Sequence, residues 1–211
     1  MVLDTHRDRA DPYLMPVARK MINVDPNLIS LLALVLSVIA GAVVVLSPDH
    51  WQLMLPLITV LVLASGYFDA LDGKVARLTG KSSKRGDLID HVFDRYADIF
   101  MIGAVAVSAW CNVYLGVLAL LGVLMTSYMG TQAQALGIGR MYAGLLGRAD
   151  RMVLMLVVPM VQWLMMLLFD TSIIQIDFIS LTWFEIMMLW FAVIGNLTAI
   201  QRGWSTWKAL K

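Results

Sequence analysis

Long apolar segments dominate this sequence and limit the folds that it can adopt. Of its 211 residues, 60% are hydrophobic and 15% are charged, whereas soluble domains are roughly 45–50% apolar and about 25% charged. A segment of ~20 apolar residues crosses a ~30 Å hydrocarbon layer. It must be helical, because unpaired backbone groups are too costly in lipid. The sequence therefore predicts an all-α integral membrane protein with six transmembrane helices.

The predicted spans share high apolar content and are separated by short polar segments. They cover about 28–47, 51–67 with a polar helical continuation toward 79, 86–110, 113–136, 152–169 and 183–200. Asp25 and Pro26 are predicted to open the first span as N-cap and first helical residue. We interpret 1–211 as a single membrane domain, with a juxtamembrane segment over 1–25 and a six-helix bundle over 28–205. Apolar residues at helical spacing in 12–24 fit an amphipathic helix on the inner membrane surface or a helix packed on the bundle.

The cations of this chain have a one-sided distribution. If the six spans alternate in direction, all 16 Lys and Arg fall on one side, before the first span, after the sixth, and in the connections 2–3 and 4–5. Short cytoplasmic loops carry an excess of Lys and Arg. The sequence therefore predicts a multi-pass protein of the cell membrane with both termini at the cytoplasmic face. Its single cysteine, Cys111, excludes an internal disulfide.

Four aspartates lie near the predicted inner boundary of the second and third spans. Asp69 and Asp72 share one face of the second helix, and Asp90 and Asp94 share one face of the third. A carboxylate at membrane depth costs about 2.5–3.5 kcal/mol, and clustered carboxylates also repel one another. Divalent cations with hard oxygen ligands, such as Mg²⁺, Mn²⁺ or Ca²⁺, would compensate this charge. Two of them would also clamp a transferring phosphoryl group.

Alternative roles are open for the neighbouring polar residues. The acids of residues 69–94 also fit a charge-rich cytoplasmic loop that nearby Lys and Arg neutralise. For Asp87 we favour a role as a helix cap. Asp98 is expected to pair with Arg95 or with a polar group across the bundle. His91 follows Asp90 directly, which turns it ~100° from the acidic face, so we do not assign it as a base.

The spacing of these residues resembles a known signature. Asp69-x2-Asp72-Gly73-x2-Ala76-Arg77-x8-Gly86-x3-Asp90-x3-Asp94 is similar to that of the CDP-alcohol phosphotransferases at all eight fixed positions. The resemblance implies a six-span membrane enzyme that transfers a lipid phosphoryl group from a CDP-linked lipid to a small alcohol and releases CMP. It also implies two divalent cations, Mg²⁺ or Mn²⁺, held by the four Asp of the signature.

The resemblance further implies individual roles. Asp94 would be both a metal ligand and the general base that takes a proton from the acceptor hydroxyl. The nucleotide and diphosphate would contact a set of residues around the second helix. These residues are Asn27, Asp72, Gly73, Ala76, Arg77 and Gly86. Asp25 stands where the family often has Thr before the Pro-Asn pair, which weakens the assignment of Asn27.

The acceptor is predicted from the connection between spans four and five. Ser127 and Tyr128 match a Ser-Tyr-x-Lys-x-Arg-x-Glu segment of family members that use inositol phosphate or glycerol phosphate, but Gly130, Gln132 and Gln134 replace its charged residues. We predict acceptor contacts from four residues, with inner-leaflet anchoring as the alternative role of the two Arg. The four are Tyr128, Gln132, Arg148 and Arg151. Arg140 is assigned to anchoring.

Inositol phosphate or glycerol phosphate is the preferred acceptor, and serine, inositol or another polyol is the alternative. The segment most resembles archaeal members of the family, whose donor would be CDP-archaeol. A cation or proton transporter would spread acids through the membrane depth, and a prenyltransferase would lack the Gly-Ala-Arg run. A non-catalytic scaffold would not need the intact signature. Membrane lipids and a second copy of the chain are expected partners, and nucleic acid is not.

Overall fold

The structure, a computed structural model, describes residues 11–139, 141, 143–176 and 179–210. Helices and one short hairpin follow one another along the chain. They are α1 Asp11–Lys20, α2 Pro26–Leu46, α3 Trp51–Leu78, α4 Lys84–Val107, α5 Val113–Ala135, α6 Arg148–Phe169, β1 Ile174–Ile176, β2 Ile179–Leu181, α7 Trp183–Trp190, a π-helical segment Phe191–Gly195, and α8 Asn196–Ala209. The predicted all-helical membrane architecture is confirmed.

Five helices of the described chain are long and apolar enough to cross a bilayer. They are α2, α3, α5, α6 and the continuous helix Trp183–Ala209. The predicted third span is α4, which has 24 residues, or about 36 Å of helix. Its first half is rich in charged residues, so length and composition alone do not identify it as a span. The count of six spans therefore stays a prediction.

Local sequence signals explain where the helices at the acidic end of the bundle begin. The Asp25 carboxylate accepts a hydrogen bond from the Asn27 N–H at 2.9 Å, and Pro26 follows as the first helical residue, as predicted. α4 is capped by Ser83, whose hydroxyl accepts a hydrogen bond from the Gly86 N–H at 3.1 Å. The cap predicted at Asp87 is thus wrong. Asp87 lies within the first helical turn, where an acidic side chain interacts favourably with the helix dipole.

Helix α2 organises the part of the bundle that carries the acids. It packs against both α3 and α4, while α6 packs on α3 and α5 packs on α4 and on the C-terminal helix. Although a short connection joins α3 and α4, they do not form a closely packed pair along their described lengths. A short connection usually makes two helices antiparallel neighbours, but here the acidic side chains meet without close packing of α3 on α4.

The apolar core lies between these helices, farther along the bundle than the acids. Its largest fully buried side chains come from several helices and include Leu55, Ile58, Ile102, Met155, Phe184, Met188 and Phe191. At the far end, Trp110 stacks on Phe184 with ring centroids 5.7 Å apart and donates a hydrogen bond to the Ser47 hydroxyl at 2.7 Å. These contacts close the bundle away from the acidic end.

Helix α1 packs against α3 at the acidic end of the bundle. Leu14 and Ala18 are buried in a small apolar cluster with Leu71 and Val75. Lys74 of α3 forms an ion pair with Asp11 at 2.6 Å. This packing agrees with the prediction of a helix on the bundle, and a position at the membrane surface stays a prediction.

The hairpin of β1 and β2 is an element that the sequence analysis missed. Its two strands pair antiparallel with Gln175 opposite Ser180. Each strand has three residues, which is too short for an alternating pattern of apolar and polar residues to be recognised. The hairpin precedes α7, whose N-cap Thr182 and Glu185 form a capping box.

Candidate active site

Three of the four predicted metal ligands come together at the end of α3 and the beginning of α4. Asp69, Asp72 and Asp90 each offer one carboxylate oxygen, and these three oxygens all lie within 4.8 Å of one another. Asp72 is buried, whereas Asp69 and Asp90 are partly exposed. Carboxylate oxygens at such separations are a suitable set of hard donors for a divalent cation. The described residues therefore fit the metal that the sequence predicts.

The fourth predicted ligand, Asp94, lies one turn farther along α4 and meets a cation from α6. The Arg148 guanidinium reaches both Asp69 and Asp94, with Nη2 at 2.5 Å from Oδ1 of each carboxylate. Asp94 is only 6% exposed, and its Oδ1 accepts no hydrogen bond of good geometry from the described residues. Arg148, which the sequence assigned to the acceptor, therefore lies inside the acidic cluster.

A second group of charges lies behind this cluster. Asp98 of α4 pairs with Arg151 of α6 at 3.1 Å and with Arg95 at 3.6 Å. The prediction that Asp98 pairs with Arg95 or across the bundle is confirmed, and both pairings occur. Arg151 also donates hydrogen bonds to the Ser127 hydroxyl and the Val123 carbonyl, at 3.3 and 3.4 Å. With 4% of its surface exposed, Arg151 joins three helices, and its contact with the acceptor stays a prediction.

His91 lies at the edge of the acidic cluster. Its Nδ1 is 2.8 Å from the Asp87 backbone carbonyl and 3.9 Å from the Asp90 carboxylate. The Asp87 side chain is 68% exposed, so this carboxylate faces outward. His91 therefore bonds to its own helix and also lies within ion-pair distance of Asp90, and its exclusion as a base stays a prediction.

The predicted nucleotide residues lie at the beginnings of α2 and α4 and toward the end of α3. Asn27 at the start of α2 is exposed, and Gly86 lies beside it: a Cβ on Gly86 would be 3.9 Å from Asn27 Oδ1. A Cβ on Gly73 would be 3.4 Å from a guanidinium nitrogen of Arg77, whose side chain is exposed. Ala76 is half-buried on the same helix. The small residue Gly73 thus leaves the backbone next to Asp72 without a bulky side chain. Contact of these residues with a nucleotide stays a prediction.

The predicted acceptor residues divide into two groups. Arg148 lines the cavity that contains Asp69, Asp90 and Asp94, but neither Tyr128 nor Gln132 lines it. Tyr128 is 53% exposed, and Gln132 is half-buried on α5. Arg140 lies outside the described residues.

One residue of the cavity was missed by the sequence analysis. The Ser30 hydroxyl of α2 is 2.5 Å from Oδ2 of Asp72. Ser30 is one turn after Asn27, so both side chains are on the same side of α2. That spacing is the only signal in the sequence that could have identified it, since a serine in an apolar span more often bonds only to its own helix.

The sequence matches the model of the CDP-alcohol phosphatidyltransferase family over residues 23–197. This match covers most of the chain, including the acidic cluster and its surroundings. The chain belongs to the CDP-alcohol phosphatidyltransferase family. The family named from the eight-position signature is therefore confirmed, and so is the classification as a phosphotransferase.

Curated members of the CDP-alcohol phosphatidyltransferase family show which proteins this chain is similar to. It is 32% identical over 152 residues to archaetidylinositol phosphate synthase of Methanothermobacter thermautotrophicus, covering 72% of this chain and 70% of that protein. It is 31% identical over 123 residues to the Pyrococcus horikoshii enzyme of the same name, covering 58% of this chain and 65% of that protein. The matches thus span about two thirds of these relatives' lengths.

A solved crystal structure shares the fold of this chain. Phosphatidylinositol phosphate synthase of Mycobacterium tuberculosis, crystallised with CDP-DAG bound, superposes with a TM-score of 0.71 at 22% sequence identity, over 93% of this chain and 96% of that one. Another crystal structure of that enzyme contains manganese and citrate. The helical arrangement described above is therefore also the fold of that synthase.

Proposed function

We propose that this protein transfers a phosphatidyl or archaetidyl group from a CDP-linked lipid to the hydroxyl of a small polar acceptor, releasing CMP in phospholipid biosynthesis. The observation that carries the proposal is the convergence of Asp69, Asp72 and Asp90 within 4.8 Å, with Asp94 joined to the same cluster through Arg148. The names of the relatives, archaetidylinositol phosphate synthase and phosphatidylinositol phosphate synthase, support this reaction class.

The metal ligands of the proposed enzyme are Asp69, Asp72, Asp90 and Asp94, which would hold two divalent cations, Mg²⁺ or Mn²⁺. Bound divalent cations would neutralise the diphosphate and stabilise the charge of the leaving CMP. The manganese in a structure with the same fold supports the choice of metal. The donor's nucleotide and diphosphate would lie against Asn27, Asp72, Gly73, Ala76, Arg77 and Gly86.

Asp94 is the proposed general base. It takes the proton of the acceptor hydroxyl while the acceptor oxygen forms a bond to the β-phosphorus of the CDP-linked lipid. The bond between that phosphorus and the oxygen of CMP breaks, and CMP leaves with the bonding electrons. Burial of Asp94 shields the proton transfer from bulk water, and Arg148 holds the carboxylate in place through their ion pair.

Inositol phosphate or glycerol phosphate is the proposed acceptor, and serine, inositol or another polyol is the alternative. Arg148 supports a phosphorylated acceptor, because its guanidinium lies at the carboxylates where the acceptor hydroxyl must react and can pair with phosphate through two hydrogen bonds. Tyr128, Gln132 and Arg151 are the further proposed acceptor contacts. The neutral residues at 130, 132 and 134 support a less charged acceptor.

The proposed placement in the membrane adds α4, as the third span along the chain, to the five candidate spans. Six alternating spans put every Lys and Arg on one side, which supports a cytoplasmic position for both termini and the active site. Helix α1 would then lie at the inner surface of the cell membrane, where its apolar side covers α3. Two copies of the single domain 1–211 are proposed to form a homodimer that membrane lipids surround.

The experiment is a measurement of CMP release by the purified full chain. The protein is supplied with Mg²⁺ and either CDP-archaeol or CDP-diacylglycerol, and each candidate acceptor is offered separately. We expect CMP release with one acceptor class, and Asp94→Asn should lower the rate by at least about 100-fold, the contribution typical of a general base.

The matched control is Asp87→Asn, because Asp87 lies on the same helix but is exposed. It should release CMP at close to the parent rate. If Asp94→Asn releases CMP as fast as the parent does, Asp94 is not the base. If no acceptor in the panel supports CMP release, the proposed reaction is wrong.

A further inference from the structure

A hydrogen bond between two helices fixes Asp72, a buried carboxylate of the acidic cluster. The Ser30 hydroxyl lies 2.5 Å from Asp72 Oδ2 and 3.2 Å from the Pro26 carbonyl. A hydroxyl has a single proton to donate, and an ionised carboxylate can only accept. The shorter contact therefore identifies Asp72 as the acceptor of the Ser30 proton. The Pro26 carbonyl, at the longer distance, is the weaker alternative acceptor.

Both partners of this bond are shielded from water. Ser30 is 8% exposed and Asp72 is 5% exposed. Hydrogen bonds to a charged group are stronger than neutral ones, and here little of either residue is exposed to solvent. Asp72 is thereby held from α2, a helix that contributes no carboxylate to the cluster.

We propose that Ser30 is a positioning residue that orients Asp72 for divalent-metal binding. This inference rests on the proposed function, since it assumes that Asp69, Asp72 and Asp90 hold a metal. With one oxygen of Asp72 engaged by Ser30, the carboxylate keeps one orientation relative to the other two acids. Residues that orient a metal ligand contribute about 10- to 100-fold to metal affinity.

Ser37 provides a matched control for a purely structural role. Its hydroxyl is 2.7 Å from the Ser65 hydroxyl of α3, and Ser65 in turn donates to the Ala33 carbonyl at 2.9 Å. Ser37 is fully buried and Ser65 is 4% exposed. Ser30 and Ser37 therefore both join α2 to α3 through a buried hydroxyl, but only the Ser30 bond ends on a carboxylate of the cluster.

The test measures Mn²⁺ binding to the full chain, without any substrate, from the electron paramagnetic resonance signal of free Mn²⁺. Ser30→Ala is expected to raise the dissociation constant about tenfold or more. Thr and Val side chains have nearly the same shape, but only Thr has a hydroxyl. The Mn²⁺ dissociation constant of Ser30→Thr should therefore stay within about threefold of the parent value, and that of Ser30→Val should match that of Ser30→Ala. Ser37→Ala should lower the thermal stability and leave Mn²⁺ affinity unchanged.

Two results would overturn the inference. Unchanged Mn²⁺ affinity in Ser30→Ala and Ser30→Val would show that the hydroxyl does not orient the ligand. An equal loss of affinity in Ser30→Ala and Ser37→Ala would show that it only joins the helices. If Asp72→Asn weakens Mn²⁺ binding while the Ser30 variants do not, the proposed function survives and the inference fails. If the parent chain binds no Mn²⁺, both fail.

Discussion

The ion pair between Asp98 of α4 and Arg151 of α6 leads to a quantitative stability prediction. The two side chains are 3.1 Å apart, and the residues are 6% and 4% exposed. Removing one partner of a buried pair leaves an uncompensated charge, which costs about 3–5 kcal/mol. The two single variants should differ within this range, because the partners that each leaves behind are different.

The asymmetry follows from the neighbours. In Arg151→Met, the Asp98 carboxylate keeps Arg95 at 3.6 Å, so we expect a cost near the lower value, about 3 kcal/mol. In Asp98→Asn, Arg151 keeps the two long hydrogen bonds to Val123 and Ser127, so the cost should approach about 5 kcal/mol. The double variant leaves neither charge behind, and its cost should fall below the sum by at least about 1 kcal/mol.

The assay is reversible unfolding of the purified protein in mixed micelles, followed by tryptophan fluorescence as the fraction of denaturing detergent rises. Asp87→Asn is the control, because its side chain is 68% exposed, and it should change the unfolding free energy by less than about 0.5 kcal/mol. Single-variant costs that add up exactly in the double variant would refute the reasoning. An unchanged stability in Arg151→Met combined with a raised KM for the acceptor would instead assign Arg151 to acceptor binding.

Two further predictions concern metal and helix packing. Exhaustive chelation should abolish CMP release, and added Mg²⁺ or Mn²⁺ should restore it. The reason is that a cation bound by the acids is needed to clamp the diphosphate. A chelated protein that stays fully active would exclude the metal role. Gly116→Ala should lower the unfolding free energy by about 1–3 kcal/mol, since its Cβ would overlap Ala106 of α4. Gly103→Ala is the control, because a Cβ there meets no described atom within 4 Å; equal costs for the two variants would contradict the packing argument.

Features encoded locally in the sequence were predicted well. The apolar segments placed the helices to within a few residues, except that the last helix continues to Ala209, nine residues past the predicted end at 200. Asp25 with Pro26 fixed the start of α2. Helical spacing placed Asp69 with Asp72 on one face of α3, and Asp90 with Asp94 on one face of α4. These pairings depend on residues within one or two turns of each other. The meeting of Asp69, Asp72 and Asp90 is a contact between two helices, which the resemblance to the eight-position signature implied.

Contacts between distant helices could not be predicted in the same way. Arg148 meets Asp69 across 79 residues of sequence, and no spacing within α6 reveals that its guanidinium points toward α3 and α4. The acceptor role predicted for Arg148 and Arg151 used only their charge and their position at the start of a span. In the structure, Arg148 joins the acidic cluster, whereas Arg151 is buried against Asp98. These two arginines therefore need separate tests.

The register of α2 against α3 connects the packing of the bundle to the site. Seven residues separate Ser30 from Ser37 on α2, and seven separate Ser65 from Asp72 on α3, so the antiparallel helices satisfy both polar contacts in one register. Side chains seven residues apart lie on nearly the same side of a helix, two turns apart. A slip of one turn would leave the serines of α2 only the carbonyls of their own helix. It would also leave the buried Asp72 carboxylate without the Ser30 hydroxyl, and an unsatisfied buried group costs about 1–3 kcal/mol.

That register also determines what lies opposite Asp69. Between the two polar contacts, the small side chain of Ala33 on α2 lines the same cavity as Asp69, which leaves space beside the carboxylate. The Ser37–Ser65 and Ser30–Asp72 contacts specify the same register, so loss of the first alone weakens the helix pair while the second still holds Ser30 against Asp72. The geometry of the acidic cluster therefore depends on the Ser30 hydroxyl, and Ser37 contributes to the stability of the packing two turns deeper in the bundle.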